Sequence, residues 1–184
     1  MKEESENKYI AYFDGACQPN PGGTAAYGAV IYKGDELVCE YSGIYRPGLG
    51  HERETSSNLA EYLGFVALVE WFIEQGLFEA DITVRGDSKL VIEQMFGNWK
   101  IKDGTYVPLA KKARVRVARL KNSRGEWIPR DQNEVADRLC QAALERAGVN
   151  AKLKKSEKAV EVRTPANDNV RDGSKLSAKA VKAG

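Results

Sequence analysis

Five apolar residues, Tyr9-Ile10-Ala11-Tyr12-Phe13, follow one another without a polar break and then meet Asp14 and Gly15. A run that short and that apolar reads as a strand buried on both faces. Such a strand needs a sheet around it and a covering layer on each side. The carboxylate at its end has two readings. Asp-Gly is a common turn pair, because Asp caps its own backbone and Gly accepts positive φ. Alternatively, a rigid strand holds a charged group at a cleft. The run alone leaves both open.

The rest of the chain supplies the layers. "AAYGAVIYKGDELVCEYSGIY" gives two further strands joined at Lys33-Gly34-Asp35-Glu36, a hairpin that makes the first three strands antiparallel. Residues 46–55 form a polar loop. A helix starts near Ser56 or Ser57 and runs to Gln75, with Leu59, Leu63, Val66, Ala67, Val69 and Ile73 at helical spacing and Gly76 as its stop. "DITVRGD" is a short strand that again ends at Gly and Asp. "SKLVIEQMF" is a short helix, and "TYVPLAKKARVRVARLKN" a longer one with Leu109, Ala113, Val117 and Leu120 on one face. "GEWIPR" reads as the last strand. Asp131 then caps a final helix to about Ala147, with Glu134 completing a capping box. The expected fold is α/β: a mixed five-stranded sheet, three antiparallel strands followed by parallel ones, flanked by helices.

Charge divides the chain unevenly. Residues 151–184 carry nine Lys and Arg against four Asp and Glu, while the remainder holds 19 basic and 22 acidic residues. The tail has no aromatic residue and cannot bury enough surface to offset chain entropy. The expected organisation is a flexible start over 1–7, a folded domain over 8–149 and a basic disordered tail over 150–184. A basic tail suits a polyanion partner or simple solubility. Charges interrupt every apolar run, and the N-terminus lacks an apolar signal core, so neither a membrane span nor secretion is expected. Cys17, Cys39 and Cys140 are too widely spaced for a zinc site or a disulfide framework, which points to a reducing cytoplasm and, with nothing to imply assembly, a monomer.

Four acids then stand out. Asp14 and Asp87 each follow a strand, Glu61 lies one turn into the long helix, and Asp137 lies near the start of the last. Each has a local explanation: a turn, a cap at Ser88, a solvated helix face, a favourable helix N-terminus. If they converge, four carboxylates repel one another and need cations to stay ionised. Hard oxygen ligands suit Mg²⁺ or Mn²⁺. Two such ions, about 4 Å apart, form a clamp for in-line displacement at phosphorus.

The residues around these acids resemble the motifs of ribonuclease H, type 1. "FDGACQPNPGG" is similar to the first motif, with Asp14 as a ligand and Asn20-Pro21-Gly22 as its turn. "SSNLAEY" is similar to the second with Glu61, "RGDSKLVI" to the third with Asp87, and "NEVADRL" to the fourth with Asp137. The resemblance covers roughly Tyr9 to Ala147. It implies an enzyme, a metal-dependent endonuclease that hydrolyses the RNA strand of an RNA–DNA hybrid with two Mg²⁺ ions, Mn²⁺ being able to substitute. Products would end in 3′-hydroxyl and 5′-phosphate. By position, Asn20 and Asn58 resemble groove-contacting residues and Ser56 a hydroxyl at a DNA-strand phosphate. Trp99 is either a packed aromatic or a sugar platform, and Lys100 and Lys102 are either solvated or phosphate contacts.

The chain also departs from the family pattern. Better-known members carry a His in a loop before the last acid, but here the last strand runs almost directly into Asp131-Gln132-Asn133. The sole histidine, His51, lies in the polar loop and reads as an ordinary loop residue. Arg130 either faces the scissile phosphate in place of that His or pairs with a nearby acid. Lys89 and Met95 stand where Gln and an aromatic are common, and the basic protrusion is short. Double-stranded RNA as a second substrate stays open. The competing readings are a weakly catalytic nucleic-acid-binding module and another nuclease or recombinase on the same fold.

Overall fold

The computed structural model describes residues 7–46 and 54–149. The expectations for His51, for residues 1–6 and for the tail from 150 onward lie outside the described residues.

The sheet has five strands: β1 (Lys8–Gln18), β2 (Thr24–Lys33), β3 (Glu36–Tyr45), β4 (Asp81–Gly86) and β5 (Asn122–Trp127). Their order is β3-β2-β1-β4-β5. β1 pairs antiparallel with β2 and parallel with β4; β2–β3 is antiparallel and β4–β5 parallel. This is the expected mixed sheet, with the apolar run in its centre. The β2–β3 turn contains Gly34 at φ 59°, a left-handed conformation that glycine adopts without steric cost.

β1 does not stop at Asp14, as the sequence suggested. It runs to Gln18, still paired with β2, and Asp14 sits opposite Gly28. What stops is the pairing with β4, whose last pair is Phe13–Gly86. The turn reading of Asp14-Gly15 therefore fails. Asp14 and Asp87 are each the first residue past that last pair, so register alone makes them neighbours.

Among the described residues, four α-helices cover the sheet: α1 (Ser57–Glu74), α2 (Lys89–Met95), α3 (Val107–Val117) and α4 (Glu134–Arg146). Alternate residues of β1 and β2 face opposite ways. Tyr9, Ala11, Phe13, Ala29 and Ile31 join the main core with Phe65, Leu68 and Phe72 of α1 and Ala110, Ala113 and Val117 of α3. Ala26 joins a second cluster with Cys140, Ala143 and Leu144 of α4. Ser56 caps α1 by accepting the Leu59 N–H at 3.2 Å. The buried positions of α1 are Ala60, Tyr62, Gly64, Phe65, Leu68, Val69 and Phe72, whereas Leu59, Leu63, Val66, Ala67 and Ile73 of the predicted spacing are half-buried, which leaves only Val69 of that spacing fully buried. α1 is apolar nearly all round because it lies between the sheet and α3.

Three further ends differ from expectation. α3 stops at Val117, whereas the expected helix ran on to Asn122, which opens β5. The last strand begins at Asn122 rather than near Gly125, and Ile128 to Arg130 lie beyond it. Asp131 does not cap α4. It falls in a 3-10 turn, Arg130–Gln132, and Asn133 occupies the N-cap position.

Candidate active site

Glycine brings the second acid to the first. A Cβ on Gly15 would lie 2.1 Å from the Glu61 backbone nitrogen and 2.2 Å from the Ala60 carbonyl carbon. Only a residue with no side chain lets α1 approach β1 this closely, and that approach sets Glu61 beside Asp14. Gly28 does the same on the other face, where a Cβ would lie 2.4 Å from the Ala136 carbonyl oxygen of α4. Asp14, Glu61 and Asp87 consequently each offer an oxygen within 4.8 Å of the others. Asp137 lies in the first turn of α4, and its Oδ1 accepts from the Arg130 guanidinium at 2.5 Å.

Electrostatics follow from this crowding. Asp14 is 4% exposed. Burial pushes its carboxyl up to about 7, the negative charges of Asp87 and Asp137 add to the shift, and the Gly15 N–H and Arg130 oppose it. Glu61 is raised well above its ordinary value, again chiefly by burial and then by Asp14 and Asp87. Without a cation Asp14 and Glu61 therefore retain protons toward neutral pH.

The donor set fits a hard divalent cation. Three carboxylates converge, and Glu61 Oε2 is buried with no hydrogen-bond partner among the described residues. An acceptor left so costs about 1–3 kcal/mol unless something else satisfies it. Asp87 does not act as a cap for α2: Ser88 holds the N-cap position without a side-chain bond, and Asp87 Oδ1 accepts from Asn133 instead.

The other predicted site residues spread around this centre. Asn20 Oδ1 accepts the Ser57 N–H at 3.1 Å, which ties the β1–β2 turn to the start of α1. Ser56 is engaged as the α1 cap, and Asn58 beside it is exposed. Trp99 is 44% exposed. It lines a cleft of about 390 Å³ with Leu90, Gln94, Lys100, Lys102 and Tyr106. Buried Gln94 shapes this cleft: it accepts from Tyr62 Oη and donates to the Lys100 carbonyl. Arg130 forms the ion pair that was one of its two readings.

Two residues at the centre escaped the sequence reading. Asn133 is buried against β1, and its only sequence signal was its place at the head of "NEVADRL". Trp127 closes β5 half-exposed and donates Nε1–H to the Asp87 carbonyl at 3.0 Å.

Residues 12–143 match the family described as reverse transcriptase-like. The bifunctional protein Rv2228c of Mycobacterium tuberculosis is 33% identical over 144 residues, 78% of this chain and 37% of that protein. Ribonuclease HI of Halobacterium salinarum is 38% identical over 141 residues, 74% of this chain and 64% of its own length. The chain thus spans just over a third of the mycobacterial relative and less than two thirds of the halobacterial one. Among solved structures, the N-terminal RNase H domain of Rv2228c, a fusion with maltose-binding protein, has a TM-score of 0.65 at 32% identity, over 77% of this chain and 96% of that one. LC11-RNase H1 in complex with an RNA/DNA hybrid has a TM-score of 0.65 at 31% identity, over 76% of this chain and 98% of that one. The family match runs from β1 into α4 and takes in all four acids, and the sheet order and helices agree with it. This chain belongs to the reverse transcriptase-like family and, within it, to the type 1 ribonuclease H group.

Proposed function

We propose that this chain is a ribonuclease H that hydrolyses the RNA strand of an RNA–DNA hybrid, with Asp14, Glu61, Asp87 and Asp137 holding two divalent cations. Mg²⁺ is the expected ion, and Mn²⁺ would replace it. The observation that carries the reading is the meeting of Asp14, Glu61 and Asp87 within 4.8 Å. The hybrid bound by LC11-RNase H1 supports the substrate class.

Bound divalent cations would lower the pKa of a water and offset charge on the attacked phosphate. The side chains have separate tasks. Asp14 and Glu61 lie deep, held by the strand and by α1, so their oxygens are positioned before substrate arrives. Asp87 enters from the end of β4 and Asp137 from α4. Arg130 is charged at all working pH values and reaches Asp14, Asp87 and Asp137 electrostatically. It would stabilise charge on the phosphate oxygens but cannot shuttle a proton. Attack by water rather than by the ribose 2′-hydroxyl leaves 3′-hydroxyl and 5′-phosphate ends. A hybrid offers a wide, shallow minor groove with 2′-hydroxyls on one strand only. Asn20, Ser56 and Asn58, grouped where the β1–β2 turn meets α1, would face that groove. Trp99 and Lys100 would take the backbone in the cleft beside α2.

The test offers labelled hybrid, double-stranded RNA and both single strands with Mg²⁺, Mn²⁺ or chelator. Cleavage of the RNA strand of the hybrid, abolished by chelator, is the expected result. Cleavage that persists in chelator, or binding without cleavage in either metal, refutes it.

A further inference from the structure

Asn133 occupies the N-cap of α4 yet does not use its side chain as a cap. An N-cap Asn ordinarily accepts a backbone N–H of the first helical turn with Oδ1. Here Oδ1 is buried and has no hydrogen-bond partner among the described residues. The amide is turned so that Nδ2 donates twice, to the Phe13 carbonyl at 2.8 Å and to Asp87 Oδ1 at 3.1 Å. The side chain is 1% exposed as a residue, so no water competes for these bonds. The Asn133 carbonyl meanwhile accepts the Asp137 N–H at 3.1 Å, and its own N–H donates to the Arg130 carbonyl at 3.0 Å.

We infer that Asn133 is a positioning residue for the carboxylate cluster: it orients Asp87 and locks the start of α4, and with it Asp137, to β1. The consequence for turnover rests on the proposed hydrolase reading, whereas the Asn133 hydrogen bonds stand apart from it. Phe13 precedes Asp14, Asp87 follows Gly86, and Asp137 lies one turn into α4. One side chain thus joins three elements that each carry an acid. The residue type follows as well. Two donors from one short planar group are needed, to two acceptors; Asp has none when ionised, and Ser has one. The unused Oδ1 costs stability, and the double donation is what offsets it. Holding one oxygen of Asp87 leaves the other for a cation. Partners that orient a metal ligand in this way change metal affinity or activity 10–100-fold when removed.

The test compares the full chain with Asn133→Ala and with Asn133→Ser, which leaves a single hydroxyl donor at the cap. Mn²⁺ is titrated calorimetrically, unfolding is followed in chelator, and hybrid cleavage is measured at saturating Mn²⁺, below every unfolding midpoint. Mn²⁺ affinity should fall at least tenfold in the Ala variant and less in the Ser variant. The turnover number should fall with it while KM for hybrid stays within twofold. A residue that merely docks α4 would lower the unfolding midpoint and leave Mn²⁺ affinity and turnover within twofold of the parent, and that result overturns the inference. If Asn133→Ala does not fold, the Ser variant alone must show at least a threefold loss of Mn²⁺ affinity, and anything smaller also overturns it. A parent that binds Mn²⁺ but leaves hybrid intact refutes the proposed activity, while the calorimetric comparison still decides the role of Asn133.

Discussion

In chelator, the stability of this protein should fall as pH rises from about 4 to about 7, and Asp14→Asn should remove the share of that fall that belongs to Asp14. The folded Asp14 carboxyl titrates at about 7, against an ordinary 3.8. Each unit is worth about 1.4 kcal/mol, so an ionised Asp14 costs the metal-free fold about 4 kcal/mol. The sign follows from proton counting. Below pH 4 both folded and unfolded chains hold the proton, and no penalty arises. Between 4 and 7 the folded chain binds more protons than the unfolded one, so stability declines with pH. Above 7 the loss is complete. Asn keeps the shape and the oxygen that faces the Gly15 N–H but cannot ionise. Urea unfolding of parent and Asp14→Asn in chelator, from pH 4.5 to 8, should therefore give a stability difference that grows in favour of the variant to about 4 kcal/mol. Added Mn²⁺ should rescue the parent at pH 8 and leave the variant unchanged, and hybrid cleavage by the variant should be lost. Two stability curves that run parallel within about 0.5 kcal/mol across this range would refute the account of the cluster.

Four further outcomes can be checked. Asp87→Asn should abolish hybrid cleavage without loss of stability in chelator, because Asp87 caps no helix; cleavage within a few-fold of the parent would remove it from the metal-holding set. Arg130→Ala should lower turnover more than tenfold yet change unfolding by less than about 1 kcal/mol, since its pair with Asp137 is an exposed one. Gly15→Ala should cost about 3 kcal/mol or more and cut cleavage, because α1 must move off β1 and carry Glu61 with it, whereas Gly34→Ala, in open space, should cost only about 1 kcal/mol; urea midpoints separate the two. A chain ending at Val149 should keep its turnover at saturating hybrid but bind with a shallower salt dependence, because the removed segment carries a net positive charge; identical salt slopes would show that the tail makes no phosphate contact.

Patterns that act over a few residues were readable without any coordinates. The apolar run at Tyr9–Phe13, the hairpin at Lys33–Glu36, the start of α1 near Ser56 and Ser57 and the order of strands and helices all rest on local periodicity and turn chemistry, and all are present in the fold. Asp14, Glu61 and Asp87, which the fold brings together, were legible for a similar reason, since each sits in a short motif. What the chain alone left undecided depends on contacts between distant segments. Whether Asp14 ends a strand or lies within one is decided by β2, which pairs past the point where β4 stops. Which stripe of α1 is buried could not be read from a helix that is apolar on most sides; the sheet and α3 decide it together. Gly15 looked like half of a turn until α1 was seen resting on it. Asp131 made the better capping box on paper, but docking of α4 on β1 through Asn133 begins the helix two residues later. Motifs select the chemistry because ligand types are local. Its geometry is tertiary, because a carboxylate's neighbours and its pKa are set by whatever the fold brings within a few ångströms.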